Sequence, residues 1–168
     1  MGRPGGKTLL LTMSKIITHS VNVEFGDCDP AAIVWFPNFF RWIDAASRHF
    51  FVACGVPPWQ ETARTWGVIG TPLVATKSRF IKTASYGDVL DIAVTITEWR
   101  NASFVQTYRI TRANASGEPD LIMECEEVRI FAAKRGGAGN DAGDPPGADG
   151  KPGIRAVPAP QAIRSLCE

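Results

Sequence analysis

The sequence predicts an α+β domain in which an antiparallel sheet accompanies one long helix. Residues 37–54 place apolar side chains at three- and four-residue steps, which is the period of an amphipathic helix. The segments that follow alternate apolar and polar residues or are rich in β-branched residues, as strands do: 73–80, 90–97, 104–111 and 121–131. One long helix followed by strands that short turns connect favours an α+β architecture over alternating βαβ units.

Composition and charge restrict the classes of protein to which the chain can belong. Its 168 residues are 45% apolar and 21% charged, which is ordinary for one globular domain with its own core. The net charge of +1 gives no field that would attract nucleic acid or an anionic membrane surface. No run approaches the ~20 apolar residues of a membrane span, so we expect neither nucleic acid nor membrane as a partner.

The four cysteines are scattered along the chain, at Cys28, Cys54, Cys125 and Cys167. They have neither the spacing of metal ligands nor the density of a disulfide scaffold. We therefore expect reduced thiols in a cytoplasmic protein that holds no metal and no tightly bound organic cofactor.

Two segments are predicted to stay outside the packed domain. Residues 1–12 are Gly-rich and are expected to form a flexible N-terminal arm, so that the domain proper spans residues 13–168. Residues 136–153 combine Gly, Pro and Asp without apolar periodicity and are predicted to form a flexible loop. After this loop, residues 154–157 are predicted to return as an edge strand and residues 160–167 as a short helix.

An acidic turn connects a first strand, predicted over residues 16–25, with the long helix. Asp27 and Asp29 favour a turn because their side chains bond nearby backbone amides, and Pro37 suits the first turn of a helix. The apolar face of the helix is predicted to consist of Phe39, Trp42, Ile43, Ala46, Phe50 and Ala53.

The polar side of the long helix carries charged residues. Asp44 and Arg48 lie four residues apart and are predicted to form a helical ion pair. Gly55 is placed to end this helix in a left-handed conformation, and residues 59–66 are predicted to form a short second helix that Gly67 stops.

Several segments of the chain resemble those of one enzyme family. GDCDPAAIVWFPNFFRWIDAASRHFF, residues 26–51, is similar to the opening motif of the 4-hydroxybenzoyl-CoA thioesterases. CGVPPW, GVIGTPLV, TASYGDVL and EWRNASFVQ resemble later segments of the same enzymes in the same order, so the resemblance covers residues 18–131. It implies the hot-dog fold, in which an antiparallel sheet wraps around one long central helix.

Asp29 is the residue that we expect to carry the chemistry. Thioester hydrolysis needs a nucleophile or base near the carbonyl carbon and hydrogen-bond donors for the oxyanion. A carboxylate just before a helix can be the nucleophile or base, and the free N–H groups at the start of that helix can be the donors. By resemblance, Asp29 attacks the thioester or activates water, and the Phe36 amide polarises the carbonyl oxygen. The alternative for Asp29 is a purely structural Asx turn, which is the role we prefer for Asp27. Cys28 has no histidine that a motif places as its base.

The resemblance also implies a pocket for the acyl group. Trp35, Phe36, Phe39 and Trp42 form an aromatic cluster beside Asp29. Part of this cluster, including Trp35 and Phe39, is expected to line a site for a planar ring. The alternative is that these residues belong to the hydrophobic core, as most aromatic clusters do.

Two further residues are expected at the acyl site. Asp44 is predicted to accept a hydrogen bond from a phenolic hydroxyl, with an ion pair to Arg48 as the alternative. Thr71 lies in the sequence Gly70-Thr71-Pro72, which resembles a stretch near the acyl site of the family. The alternative is that this sequence only forms a turn at the start of a strand.

The turn WRNAS resembles the one that holds the phosphates of coenzyme A, and it makes Arg100 and Ser103 the predicted CoA-binding residues. The family's turn is richer in basic residues, whereas here Asn101 and Ala102 follow the arginine. Phosphate binding is therefore expected to be weaker or to involve Lys77, Arg79 or Lys82. Ala32 is a second departure, because the resembled motif has Gly there and a methyl group narrows the site or strains the turn.

The resemblance and these residues together predict an acyl-CoA thioesterase that acts in the degradation of aromatic compounds. Its expected product is an aromatic acid, preferably a hydroxybenzoate. The enzyme would need no cofactor, because coenzyme A is part of the substrate. Two alternatives stay open: a thioesterase for short aliphatic acyl-CoA or acyl carrier protein, and a non-catalytic module that binds acyl-CoA. The resemblance implies a homotetramer of two dimers, with each active site shared across a dimer interface.

Overall fold

The computed structural model describes residues 14–135 and 153–168. The predicted arm at residues 1–12 and the predicted loop at residues 136–153, except Gly153, lie outside the described residues. The described helices are α1 (Pro37–Ala53), α2 (Trp59–Trp66) and α3 (Gln161–Cys167), and a 3₁₀ helix (Phe25–Asp27) precedes α1. The strands are β1 (Ile17–Asn22), β2 (Leu73–Phe80), β3 (Val89–Trp99), β4 (Ser103–Arg112), β5 (Asp120–Ile130), β6 (Ala132–Lys134) and β7 (Ile154–Ala156).

Five strands form one antiparallel sheet in the order β1-β3-β4-β5-β2, and α1 packs against β1 and β3. β2 and β1 are therefore the two edges of this sheet. β6 and β7 pair with each other and form a separate two-stranded ribbon. This is the predicted α+β arrangement, in which one long helix is covered by an antiparallel sheet.

The core lies between α1 and the inner face of the sheet. α1 buries Phe39, Trp42, Ile43, Ala46, Ser47, Phe50 and Phe51. On β3, alternate residues are buried, namely Leu90, Ile92, Val94 and Ile96. Each large apolar side chain buried in this way contributes about 1.5–3 kcal/mol relative to exposure. The assignment of Ala53 to the apolar face was wrong, because it is exposed and Cys54, four residues after Phe50, is buried instead.

The end of the first strand and one predicted contact differ in the structure. β1 ends at Asn22 rather than at residue 25, because Asn22 pairs with Val89, the first residue of β3. The predicted ion pair between Asp44 and Arg48 does not form. Asp44 accepts a hydrogen bond from Arg129 instead, and the Arg48 guanidinium lies 4.6 Å from the centre of the Trp59 ring.

The C-terminus of α1 ends as the sequence predicts. Gly55 has a φ of +86°, its N–H donates to the Val52 carbonyl, and the N–H of Val56 donates to the Phe51 carbonyl. These two bonds form a Schellman motif, which turns the chain toward α2. Among the described residues, no helix combines the length and the apolar character that crossing a bilayer requires.

Candidate active site

Asp27 holds the acidic turn together. Its Oδ2 accepts from the Glu24 N–H at 2.9 Å, and its Oδ1 accepts from Arg41 Nη2 at 2.8 Å. Its carbonyl oxygen accepts from the Trp35 N–H and from Asn38 Nδ2, both at 2.9 Å. With its carboxylate and carbonyl both bonded, Asp27 has the structural role that we preferred for it.

Asp29 lies two residues further on, half-buried, with a more open carboxylate. Its Oδ1 accepts from the Ala31 N–H at 2.8 Å, so the Asx turn does form. Its own N–H donates to the Ile33 carbonyl, and its carbonyl accepts from the Ala32 N–H. Oδ2 has no hydrogen-bond partner within residues 14–135 and 153–168. The same carboxylate can therefore serve the turn with one oxygen and act on a substrate with the other.

Ala32 adopts a left-handed backbone conformation in this turn. Its φ is +61°, and among the described non-glycine residues it alone has a positive φ. A side chain in this region costs roughly 1–2 kcal/mol because its Cβ crowds the following carbonyl oxygen. The methyl group of Ala32 therefore strains the turn beside Asp29. This is one of the two effects expected from an alanine where the resembled motif has glycine.

The first turn of α1 leaves one amide open. Pro37 follows Phe36 and has no N–H, while Asn38 and Phe39 donate to the carbonyls of Trp35 and Phe36. The Phe36 N–H has no acceptor among the residues that the structure describes. An open N–H at a helix N-terminus is a donor at the positive end of the helix dipole, which suits a developing oxyanion.

A cavity of about 360 Å³ opens at this end of α1, lined by Phe36, Phe39, Phe80 and Lys82, among others. The predicted aromatic cluster splits there into two pairs. Phe39 and Trp42 belong to the core, in an edge-to-face contact with ring centroids 5.5 Å apart. Trp35 and Phe36 are 54% and 59% exposed. Of these four aromatic residues, the two that precede α1 are exposed and the two within it are buried.

Asp44 and Thr71 lie together in a second cavity of about 340 Å³, which Trp59 and Arg129 also line. Within one chain, these two predicted residues are not in the cavity that contains Phe36 and Phe39. The predicted catalytic and acyl-binding residues therefore form two groups, one at the N-terminus of α1 and one beside its middle.

The predicted CoA-binding residues lie in the turn between β3 and β4. The Arg100 N–H donates to the Ser103 carbonyl at 2.8 Å and closes the turn. The Arg100 guanidinium donates to both carboxylate oxygens of Glu98, at 2.9 and 3.0 Å, and this pairing lowers the pKa of Glu98. Arg100 thus already has an anionic partner, with which a phosphate group would have to compete.

The alternative phosphate ligands are partly engaged as well. Arg79 donates to Glu124 at 2.7 Å, and Lys82 donates to Asp120 at 2.6 Å. Lys77 forms no ion pair within the described part of the chain. Lys82 lines the cavity at the N-terminus of α1.

The sequence reasoning missed a buried polar cluster beneath the second cavity. Arg129, Glu127, Tyr108 and Gln106 are all buried on the inner face of the sheet. Burial and the neighbouring Glu127 carboxylate raise the pKa of Tyr108, so its hydroxyl stays protonated. Burial alone would lower the pKa of Arg129, but the Glu127 carboxylate and the hydrogen bonds to Glu127 and Asp44 outweigh it and raise that pKa. The signal in the sequence was Glu127 and Arg129 at alternate positions of a strand whose other inward residues are apolar.

The four cysteines are free thiols, and Cys54, Cys125 and Cys167 are buried. Burial raises the pKa of each of these three thiols, which makes them poor nucleophiles. No group of three or more potential metal ligands occurs among the described residues.

Comparisons with known proteins agree with the geometry. Residues 23–166 match the family model of the thioesterase-like superfamily. The 4-hydroxybenzoyl-CoA thioesterase of Pseudomonas sp. (strain CBS-3) is 50% identical over 124 residues, which are 74% of this chain and 88% of that protein. An X-ray structure of an aspartate-to-asparagine mutant of 4-hydroxybenzoyl-CoA thioesterase, complexed with 4-hydroxybenzoyl-CoA, is 42% identical, with a TM-score of 0.77 over 91% of this chain and 99% of that chain. A gentisyl-coenzyme A thioesterase structure shares the fold at 23% identity, with a TM-score of 0.66 over 90% of this chain and 100% of that chain.

Proposed function

The chain belongs to the thioesterase-like superfamily, which confirms the predicted hot-dog fold, and from this membership we propose that it hydrolyses an aromatic acyl-CoA. The expected substrate is 4-hydroxybenzoyl-CoA, because the relative of that activity is 50% identical over most of both chains. The products are the free hydroxybenzoate and coenzyme A. The observation that carries the proposal is the open Oδ2 of Asp29 just before a helix whose first amide, that of Phe36, is also open.

Hydrolysis would proceed with the thioester carbonyl between these two groups. The Phe36 N–H donates to the carbonyl oxygen and stabilises the negative charge that develops there. Asp29 either attacks the carbonyl carbon, forming an anhydride that water then cleaves, or takes a proton from a water molecule that attacks instead. In both routes the C–S bond breaks and CoA leaves as a thiolate that is then protonated. Both routes need a carboxylate with a free oxygen, and the turn bonds only Oδ1 of Asp29.

The acyl ring and the CoA moiety would be held by separate residues. We propose that Asp44 and Thr71 contact the ring of the acyl group in their cavity, where the Asp44 carboxylate accepts from a ring hydroxyl. Arg100 and Ser103 are proposed to hold a phosphate of CoA. Trp35, just before α1, and Phe39, in its first turn, are proposed to contact the acyl group, because Trp35 is exposed and Phe39 lines the cavity at this end of the helix.

A second copy of the chain would bring the two groups of residues together. All eight residues of β2 are exposed, and Val74 is 61% exposed on this unpaired edge. The first residue of β2, Leu73, lines the Asp44 cavity, and the last, Phe80, lines the Phe36 cavity. If β2 pairs antiparallel with its copy about a two-fold axis, the start of one strand lies beside the end of the other. The Asp44 cavity of each copy then faces the N-terminus of α1 in the other, which is why we propose a homodimer, and a tetramer of two such dimers.

A thioester screen tests the proposed activity. The purified chain is offered 4-hydroxybenzoyl-CoA, benzoyl-CoA, acetyl-CoA and an acyl carrier protein thioester, and released thiol is measured with a chromogenic reagent. We expect the highest kcat/KM for 4-hydroxybenzoyl-CoA. Preference for acetyl-CoA or the carrier protein would contradict the aromatic assignment, and binding without release of thiol would indicate a non-catalytic module.

The assembly is tested separately by light scattering on the Val74→Arg variant. Position 74 is near the start of β2 and would lie beside the end of β2 in the other copy, which carries Arg79, so the added positive charge should convert the oligomer to a monomer and abolish turnover. Val52→Arg is the matched control, because Val52 is also exposed but lies on α1. An unchanged mass for Val74→Arg would exclude the pairing of β2 edges.

A further inference from the structure

Arg129 is a buried cation whose guanidinium reaches three parts of the chain. Nε donates to Glu127 Oε2 at 2.7 Å, Nη1 donates to the Thr71 carbonyl at 3.1 Å, and Nη2 donates to Asp44 Oδ1 at 2.9 Å. Only 5% of the residue is exposed. A planar guanidinium presents its donors in a fixed geometry, so one side chain fixes the distance between α1 and the segment before β2.

Hydrogen bonds continue from Glu127 through the core and return to α1. The Tyr108 hydroxyl lies 2.9 Å from Glu127 Oε2 and 2.9 Å from the Gln106 side-chain amide. The same amide lies 2.7 Å from Ser47 Oγ. Ser47 follows Asp44 by three residues and so shares its side of the helix. The bonds thus form a closed path that begins and ends on α1, directly beneath the second cavity.

The path restrains a side chain that would otherwise be mobile. The Asp44 side chain is 73% exposed, and a carboxylate this exposed on a helix surface exchanges freely among rotamers. The bond from Arg129 to Oδ1 fixes it toward the cavity, and Oδ2 has no partner among the described residues. The charge of Arg129 is also balanced by the buried Glu127, which is 2% exposed. The fixed Asp44 carboxylate therefore remains available as a hydrogen-bond acceptor.

We propose that Arg129 is a positioning residue for acyl-group specificity, which holds Asp44 as a fixed acceptor and thereby selects acyl rings that carry a hydrogen-bond donor. This inference rests on the proposed function and deepens it. Thr71 is positioned by the same guanidinium through its carbonyl, so the two predicted acyl-site residues of this cavity, Asp44 and Thr71, both depend on Arg129. An acceptor held in place discriminates against a ring that leaves it unpaired, whereas a mobile acceptor turns to water and discriminates little.

The test compares 4-hydroxybenzoyl-CoA with benzoyl-CoA, which lacks the donor, in the full chain and in Arg129→Lys. Lysine keeps the positive charge but cannot make the three bonds of the guanidinium at once. We expect the ratio of kcat/KM for the two substrates to fall about tenfold, with kcat/KM for benzoyl-CoA changed less than about threefold. Arg109→Lys is the matched control, because Arg109 is an exposed arginine on β4 paired with Glu124, and it should leave the ratio unchanged. An equal loss on both substrates in Arg129→Lys would mean a general structural role and would overturn the proposal.

A double variant shows whether Arg129 acts through Asp44. Asp44→Asn alone should reduce the same ratio. Adding Arg129→Lys should change the ratio by less than about a further twofold, because the Asp44 carboxylate that Arg129 positions is already absent. Independent losses that multiply would overturn the proposal. If Arg129→Lys does not fold, as thermal unfolding reports, Tyr108→Phe replaces it, since it removes the hydroxyl that links Glu127 to Gln106 without changing charge. Tyr108→Phe should lower the ratio about threefold, and an unchanged ratio would overturn the proposal.

The wild-type chain separates this proposal from the proposed function. Wild-type protein that hydrolyses both thioesters with equal kcat/KM would overturn the role of Arg129 and leave the thioesterase activity intact. Wild-type protein that hydrolyses neither would overturn the proposed function itself, and this inference with it.

Discussion

Asp27 and Asp29 lie two residues apart in one turn, and their carboxylates differ in how many oxygens the protein occupies. Asp27 receives one donor on each oxygen, from Glu24 and Arg41, whereas Asp29 receives only the Ala31 amide on Oδ1. A carboxylate that accepts a hydrogen bond on each oxygen has no open oxygen to offer a substrate. The difference indicates that Asp27 stabilises the turn, whereas Asp29 keeps an oxygen with which it can act on a substrate.

Asp29→Asn should reduce turnover of 4-hydroxybenzoyl-CoA about a hundredfold or more while the fold stays intact. The amide still accepts from the Ala31 N–H, but it supplies neither a nucleophile nor a base. Steady-state kinetics together with circular dichroism measure the two effects. Turnover near the wild-type rate would remove Asp29 from the mechanism.

Asp27→Asn is the matched control for that variant. It should lower the free energy of unfolding by about 0.5–1 kcal/mol, because the ion pair with the largely exposed Arg41 is weakened. Turnover should fall less than about tenfold, since the catalytic carboxylate remains. A larger kinetic effect here than at Asp29 would exchange the two roles.

Ala32→Gly should stabilise the chain. Glycine adopts a φ of +61° without the Cβ clash, but it also gains freedom in the unfolded state, so we expect a net gain of up to about 1 kcal/mol. Urea unfolding measures the change. Ala31→Gly is the control, because its φ is not positive, and it should give no gain. Equal destabilisation of both variants would mean that Ala32 is unstrained.

Arg100→Ala should raise KM for acyl-CoA more than it lowers kcat, with a smaller effect on acyl-pantetheine, which lacks the nucleotide phosphates. The effect should be modest, because Arg100 is exposed and already paired with Glu98. Glu98→Gln provides the opposite change and should lower KM by freeing the guanidinium. Unchanged KM in both variants would place the nucleotide elsewhere.

Acid should destabilise the fold through His19, whose ring centroid lies 5.0 Å from that of His49. Burial lowers the pKa of His19, and the charge of His49 lowers it further. The unfolded chain therefore binds a proton at its ordinary pKa near 6.5 while the folded chain resists it. The stabilisation is present above that pKa and is lost as the pH falls below it.

Thermal unfolding at pH about 7.5 and about 5.5 measures this loss. His49→Gln removes the smaller cause and leaves burial, so the drop in melting temperature on acidification should shrink without disappearing. A drop of the same size in the variant would show that His49 does not act on His19.

Local patterns in the sequence predicted most of the fold. α2 and β2 have the predicted bounds, because Gly67 and the alternation of residues 73–80 are local signals. The error at Ala53 came from placing the last apolar position of α1 one residue too early. With 3.6 residues per turn, the residue that follows Phe50 on the buried face is Cys54, which is buried. The predicted pair of Asp44 with Arg48 failed because a residue far along the chain, Arg129, offered a better partner.

The candidate site was predictable in its parts and not in its arrangement. Asp29 and Phe36 follow from a turn and a helix start that are continuous in sequence. The cluster around Arg129 depends on β4 and β5 being paired in register beneath α1, for example Tyr108 opposite Cys125 and Gln106 opposite Glu127. No local pattern specifies such pairing across the sheet.

The closed path of hydrogen bonds constrains how this enzyme can acquire a new acyl preference. Removing Arg129 leaves the buried Glu127 carboxylate without its cationic partner, which costs about 3–5 kcal/mol, a large share of the stability of a small domain. Removing Glu127 leaves the buried Arg129 guanidinium paired only with the exposed carboxylate of Asp44. Asp44 lies at the exposed end of the path and can be replaced at little cost. Substitution at Asp44 is thus the accessible evolutionary step, whereas Glu127 and Arg129 must change together. Relatives with different ring substituents are expected to vary at Asp44 before they vary in the pair beneath it.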